Sequence, residues 1–163
     1  MRLVKGGLIT VVTGIIAAFS SVSSAGDEYR LSAFADVSGY AQIKSNNIEE
    51  AKEFIMARSG KKMDFLELNN LCVLDLLVED FSSAVGICEA ALSKSNSTRG
   101  IGFAAKKKVA ASIHSNLAVA KALSGDLEGA EIELEMALSL NSFDSNAKAN
   151  LEWLANSVLI AGL

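Results

Sequence analysis

Apolar residues recur every three or four positions along most of the chain after residue 30, and short polar stretches separate the recurrences. This spacing is typical of amphipathic helices, and residues suited to helix capping, such as Asn47 and Asp64, stand at the breaks. The pattern predicts helices at about residues 31–44, 48–58, 65–78, 81–94, 103–123, 127–140 and 145–160. Because most connections have only about two to six residues, we expect successive helices to be antiparallel neighbours in an all-α protein.

The clearest helix pair lies within residues 115–138, where the turn Gly125-Asp126 separates two amphipathic stretches. Small side chains, such as those of Ala118 and Ala130, stand where the two helices are expected to touch. Leucines fill the positions between them. A similar pair is predicted at residues 70–92.

The chain also repeats at a fixed distance. Asn116-Leu117 recurs as Asn150-Leu151, 34 residues later, and Asn70-Leu71 stands 46 residues earlier. The additional residues fall in the polar, glycine-containing stretch around residues 95–107, which we interpret as an insertion. A period of about 34 residues is typical of repeats built from helix pairs.

These residues resemble the tetratricopeptide repeat family, in which Asn-Leu-Ala, Gly-Asp and two later alanines follow the spacing of Asn116, Gly125, Ala130 and Ala137. The resemblance is clearest at residues 111–144. Two aromatic positions and the closing proline of the family pattern are missing. The resemblance implies an antiparallel helix-pair solenoid of about three repeats over residues 26–163, closed by the last helix as a cap.

The resemblance further implies a non-enzymatic protein–protein interaction module that binds a peptide or helix of a partner protein in a concave groove. The lysines and arginines with which such repeats hold a terminal carboxylate are missing at the matching positions, so an apolar helix or extended segment is the expected ligand. The alternative is that the leucines of this face only pack between helices. The groove positions that the frame implies are Tyr40, Asn69, Val73, Leu76, Ser115, Val119, Ala122 and Trp153.

The same frame places Cys72 and Cys88 on facing antiparallel helices, nearly equidistant from the turn at Glu79-Asp80. An exported protein can form a disulfide there, since oxidising compartments permit the bond. The alternative is two buried thiols that act as small apolar residues.

Residues 1–25 have the three parts of a signal peptide: Arg2 and Lys5, then an apolar run, then a polar end with Ser23 and Ala25. We expect cleavage after Ala25 and a periplasmic or secreted protein. The apolar run is shorter than the roughly 20 residues of a membrane-spanning helix. The alternative is an uncleaved anchor that tethers the repeats to a membrane and serves the assembly of an envelope complex.

The 163-residue chain has a net charge of −4, which argues against a nucleic-acid partner. His114 is the single histidine, and no catalytic set, cofactor motif or metal-ligand pattern surrounds it. We therefore expect no enzyme activity, cofactor or metal. A local basic patch, Arg99 with Lys106, Lys107 and Lys108, is either a solvated helix start or a docking point for an acidic partner or anionic lipid headgroups.

Overall fold

The computed structural model describes residues 28–161, and its side chains as far as residue 157; within this part all regular structure is helical. The all-α prediction is confirmed. The predicted signal peptide, residues 1–25, lies outside the described residues. The helices are α1 Tyr40–Ser45, α2 Ile48–Arg58, α3 Phe65–Leu77, α4 Phe81–Ser97, α5 Phe103–Leu123, α6 Leu127–Leu140 and α7 Ser145–Ala161.

Two helical hairpins, α3–α4 and α5–α6, have the same turn. The residue that reverses the chain, Glu79 in one hairpin and Gly125 in the other, has a positive φ, 63° and 97° respectively. The next residue caps the following helix: Asp80 accepts a hydrogen bond from a main-chain N–H at 3.1 Å, and Asp126 accepts one at 2.9 Å. The two turn sequences, Glu79-Asp80 and Gly125-Asp126, therefore form the same hairpin through the same local interactions.

The helices form two layers. In the first layer α5 packs against both α3 and α7; in the second, α4 packs between α3 and α5, and α6 packs between α5 and α7. The short helices α1 and α2 pack against α3. Within the described residues no helix combines the length and apolar character needed to cross a membrane.

The central hydrophobic cluster joins α3, α4 and α5. Its fully buried members include Val73, Leu76 and Val119. A disulfide between Cys72 and Cys88, whose Cα atoms are 5.4 Å apart, connects α3 to α4 inside this cluster. A second cluster, of Phe65, Ala91 and Ile113, also joins α3, α4 and α5, and a third joins α5, α6 and α7.

The predicted first helix, residues 31–44, is wrong. Residues 28–39 contain no helix, and α1 has only six residues, Tyr40–Ser45. The main-chain polar groups of residues 30, 32 and 34 bind side chains of three other helices instead of one another. Tertiary contacts therefore override a spacing of apolar residues that would fit a helix.

A smaller difference concerns the end of α4, which extends to Ser97 where the sequence predicts an end near residue 94. The hydroxyls of Ser97 and Thr98 donate to the carbonyl oxygen of Lys94, at 2.9 and 2.8 Å. The same carbonyl oxygen also accepts the main-chain N–H of Thr98 at 3.1 Å, so three hydrogen bonds meet at the helix end. The polar stretch is shortened, and the loop comprises residues 98–102.

Candidate functional site

Three asparagines bind the main chain of an extended segment, residues 29–34. The side-chain oxygen of Asn116 accepts the N–H of Ser32 at 2.8 Å, and its side-chain nitrogen donates to the carbonyl oxygen of the same residue at 2.7 Å. Asn150 makes the same pair of bonds with Arg30, at 2.6 and 2.8 Å.

Asn70 makes the third pair. It accepts from the N–H of Phe34 at 2.8 Å and donates to its carbonyl oxygen at 2.9 Å. Every second residue of the segment thus has both its main-chain N–H and its carbonyl oxygen hydrogen-bonded, as an edge strand would have them bonded by a neighbouring strand. We call Asn70, Asn116 and Asn150 the asparagine ladder, and we call the surface of α3, α5 and α7 that residues 29–34 cover the binding face.

The asparagine ladder follows from the repeat in the sequence. Its members occupy α3, α5 and α7, which form one row, and each is followed by a leucine. The segment runs from α7 towards α3, so residues 30, 32 and 34 meet the three asparagines in reverse chain order. The asparagine residues have no measurable exposure. The two bonds between Asn116 and Ser32 are fully buried, whereas those to Arg30 and Phe34 are partly buried.

Neighbouring polar side chains orient the ladder. Asn116 also donates to the side-chain oxygen of Asn69 at 2.8 Å, and Asn69 donates to the carbonyl oxygen of Ser32 at 2.9 Å. Asn150 likewise donates to the hydroxyl of Ser115 at 2.9 Å. The residue before each of the first two ladder asparagines therefore supports the network, which fixes the direction of the amide groups.

The side chains of the segment enter different surroundings. Leu31 and Ala33 are buried in the central cluster together with Val73 and Val119. Phe34 packs against a second cluster formed by Phe65, Ala91 and Ile113.

At the α7 end of the segment, Tyr29 lies edge-on to Trp153, with ring centroids 5.4 Å apart. The binding face thus contacts both the main chain and the side chains of residues 29–34. Burial of Tyr29 raises the pKa of its hydroxyl above the ordinary value.

Most of the predicted groove residues lie at or near the binding face. Asn69 and Ser115 belong to the hydrogen-bond network, and Trp153 contacts Tyr29. The central cluster contains Val73, Leu76 and Val119, with Tyr40 packed against it, whereas Ala122 packs against the cluster between α5, α6 and α7.

Sequence reasoning missed the ladder itself, and it missed Asn146, whose side-chain nitrogen donates to the hydroxyl of Ser32 at 2.9 Å. The signal for the ladder is the recurring Asn-Leu pair, since the asparagine of each pair is a ladder residue. The groove that we predicted to hold a partner is covered, in this structure, by the chain's own residues 29–34.

Two members of the predicted basic patch have local partners. Lys106 donates to the carbonyl oxygens of Asn96 and Thr98, at 2.8 and 3.3 Å, and so closes the loop between α4 and α5. The ammonium of Lys107 lies 4.9 Å from the centre of the Phe103 ring. Arg99 and Lys108 remain exposed, so two of the four cations have local partners.

Titratable groups of the hairpins have local structural partners. Nδ1 of His114 lies 2.6 Å from one carboxylate oxygen of Glu133, and Lys121 donates to the other at 2.7 Å. Burial raises the pKa of Glu133, but the hydrogen bonds from His114 and Lys121 outweigh it and leave the pKa below its ordinary value. Among the described residues no group of His, Cys, Asp and Glu has the arrangement of a metal site.

Asp75 is a buried carboxyl in the α3–α4 hairpin. It accepts a hydrogen bond from the hydroxyl of Ser83 at 2.7 Å. Burial raises its pKa to about 6, with a smaller upward contribution from Asp80, although the bond from Ser83 acts in the opposite direction. The bond from Ser83 links α4 to α3, and Asp75 lies outside the hydrogen bonds of the ladder.

No protein-family model, curated protein or solved structure matches the chain.

Proposed function

We propose that this chain is a non-enzymatic, tetratricopeptide-like interaction module that binds an extended segment of a partner protein on the face where residues 29–34 lie. The observation that carries this proposal is the set of three two-bond pairs between the asparagine ladder and alternate residues of a segment. An asparagine amide offers one acceptor and a donor group side by side, which matches the N–H and C=O of one extended residue. Any polypeptide can supply these groups, so the ladder suits a ligand presented in trans.

The arrangement of the helices supports a repeat module. Each ladder asparagine comes from the inner helix of one hairpin or from α7, and the outer helices α4 and α6 pack behind the row. In our proposal the pairs α3–α4 and α5–α6 are two repeats of a solenoid, and α7 is its cap. Adding helices in this way builds a continuous surface along which an extended segment can lie.

The chain's own segment then acts as an intramolecular competitor. A segment attached by a short connection has an effective concentration of about millimolar at its site. A partner segment must therefore either bind more tightly than residues 29–34 or be present at comparable concentration. The apparent affinity for the partner is the intrinsic affinity multiplied by the fraction of molecules whose binding face is free.

The direct test is the binding of a labelled peptide with the sequence of residues 28–35 to a protein whose own segment is weakened. The variant Leu31→Asp places a carboxylate at a position that is only 5% exposed, which disfavours the chain's own segment but leaves the ladder intact. Fluorescence anisotropy should show saturable binding of the natural peptide. Far-UV circular dichroism shows whether the variant remains folded.

Modified peptides test whether the main chain is what the face binds. N-methylation at Ser32 removes the donor to Asn116, and we expect binding to weaken by about 5- to 150-fold, as leaving a buried group unpaired costs about 1–3 kcal/mol. N-methylation at Leu31, whose amide lies between two ladder contacts, is the matched control. Absence of saturable binding to the folded variant would refute the proposal, and so would equal loss from both modifications. Should Leu31→Asp not fold, millimolar peptide is titrated into the natural protein instead.

We propose a periplasmic or secreted location. The disulfide between Cys72 and Cys88 supports it, since such bonds persist in oxidising compartments. Amino-terminal sequencing of the mature protein tests the proposal: Gly26 as first residue is expected, whereas Met1 would favour the membrane-tethered alternative with an uncleaved anchor.

A further inference from the structure

One side chain of the extended segment has a polar partner at the middle of the binding face. The hydroxyl of Ser32 accepts a hydrogen bond from the side-chain nitrogen of Asn146 at 2.9 Å. Ser32 is 2% exposed and Asn146 is half-buried, so the contact is partly shielded from water. The same asparagine nitrogen lies 3.5 Å from the carbonyl oxygen of Leu31.

Asn146 is well placed to select a side chain. It stands four residues before Asn150 on α7, so the two side chains lie on the same face of that helix. Its main-chain N–H donates to Asp144 at 3.1 Å, which fixes the first turn of the helix. Asn150 binds the main chain of Arg30, whereas Asn146 binds the side chain two residues later.

The neighbours of Ser32 restrict the ligand further. Leu31 and Ala33 are 5% and 2% exposed and belong to the central cluster. A residue larger than alanine at position 33 would overpack the cluster, which typically costs about 1–3 kcal/mol. A charged residue at position 31 would lose its hydration without an opposite charge.

We infer that the face selects a partner segment with the pattern aliphatic–serine–alanine, and that Asn146 selects the serine through its hydroxyl. This inference rests on the proposed function and adds the chemistry of its ligand. The ladder holds the main chain of any extended segment, and Asn146 distinguishes serine from other small residues at the centre. Residues 31–33 of the chain itself show the preferred pattern.

A binding cycle tests the inference. Peptides of residues 28–35 with serine or alanine at position 32 are titrated into the Leu31→Asp protein and into the same protein with Asn146→Ala. With Asn146 present, the alanine peptide should bind about 5- to 30-fold more weakly, the loss expected when the side-chain nitrogen of Asn146 loses its hydrogen bond to the buried serine. With Asn146→Ala, the two peptides should differ by less than about twofold.

A second cycle, by urea unfolding of the otherwise natural chain, measures the coupling of Ser32→Ala and Asn146→Ala within one molecule. Coupling in both cycles supports the inference. Coupling in unfolding alone would show that the contact only stabilises the fold and would overturn the selectivity, as would equal binding of the two peptides to both proteins. If neither peptide binds any folded variant, the proposed function and this inference both fail, a result distinct from binding without selection.

Discussion

Replacing Asn116 by alanine removes the central member of the asparagine ladder. The change deletes an acceptor for the N–H of Ser32 and a donor to its carbonyl oxygen. It also deletes the donor to the side-chain oxygen of Asn69. The carbonyl oxygen of Ser32 keeps one partner, because Asn69 still donates to it at 2.9 Å.

Two groups are therefore left without a partner in a buried site: the N–H of Ser32 and the side-chain oxygen of Asn69. An unpaired buried group costs about 1–3 kcal/mol, so we expect Asn116→Ala to lower the free energy of unfolding by about 2–6 kcal/mol. Asn70→Ala should cost less, about 1 kcal/mol, because its bonds to Phe34 are only partly buried and water can replace them.

Urea denaturation followed by circular dichroism measures these differences, provided that the slope of the free energy of unfolding against urea concentration is the same in each protein. Asn96→Ala is the control, since Asn96 is exposed on α4 and surface substitutions usually change stability by less than about 0.5 kcal/mol. The expected order of destabilisation is Asn116, then Asn70, then Asn96. An Asn116→Ala protein as stable as the control would show that the ladder does not hold the segment.

Two further predictions concern the α3–α4 hairpin. Reduction of the disulfide, or the double substitution of Cys72 and Cys88 by alanine, should lower the free energy of unfolding by about 3 kcal/mol; equal urea midpoints with and without reductant would contradict this. The pKa of Asp75 is raised to about 6 in the folded protein. Between about pH 4 and 6 the folded protein therefore keeps a proton that the unfolded chain has released. The free energy of unfolding should fall by about 3 kcal/mol as pH rises through this window. Asp75→Asn should remove that fall, and a difference between natural and variant protein that does not change with pH would refute the assignment.

The helical hairpins could be predicted because their signals are local. Asp64, Asp80 and Asp126 cap helices through bonds to amides only two or three residues away. The predicted bounds 103–123 and 127–140 agree with those of α5 and α6. Periodicity and capping act over the same short distances as the sequence patterns that reveal them.

The extended segment could not be predicted in this way. Leu31, Phe34 and Val37 have helical spacing, yet the partners of the segment are 36 to 120 residues away in the chain. Six hydrogen bonds to the ladder replace those that a helix would form. A spacing of apolar residues carries no information on where distant amide groups lie in the fold. Local propensity therefore predicts a helix where the structure has an extended segment.

The site shows the same division. The repeat frame places Asn69 and Ser115 on the inward side of their helices, where both are buried, because this placement depends only on which face of a helix is turned inward. It did not identify Asn146, whose contact with Ser32 depends on where the extended segment lies.

Displacement of the chain's own segment is the most direct test of binding in trans. An unlabelled peptide of residues 28–35 is titrated into the natural protein labelled with ¹⁵N, so that the Ser32 amide signal comes from the protein alone. At millimolar peptide, near the effective concentration of the attached segment, hydrogen exchange at this amide should accelerate as the bound fraction rises. Unchanged protection of Ser32 while the peptide saturates the protein would place the peptide elsewhere and contradict the account.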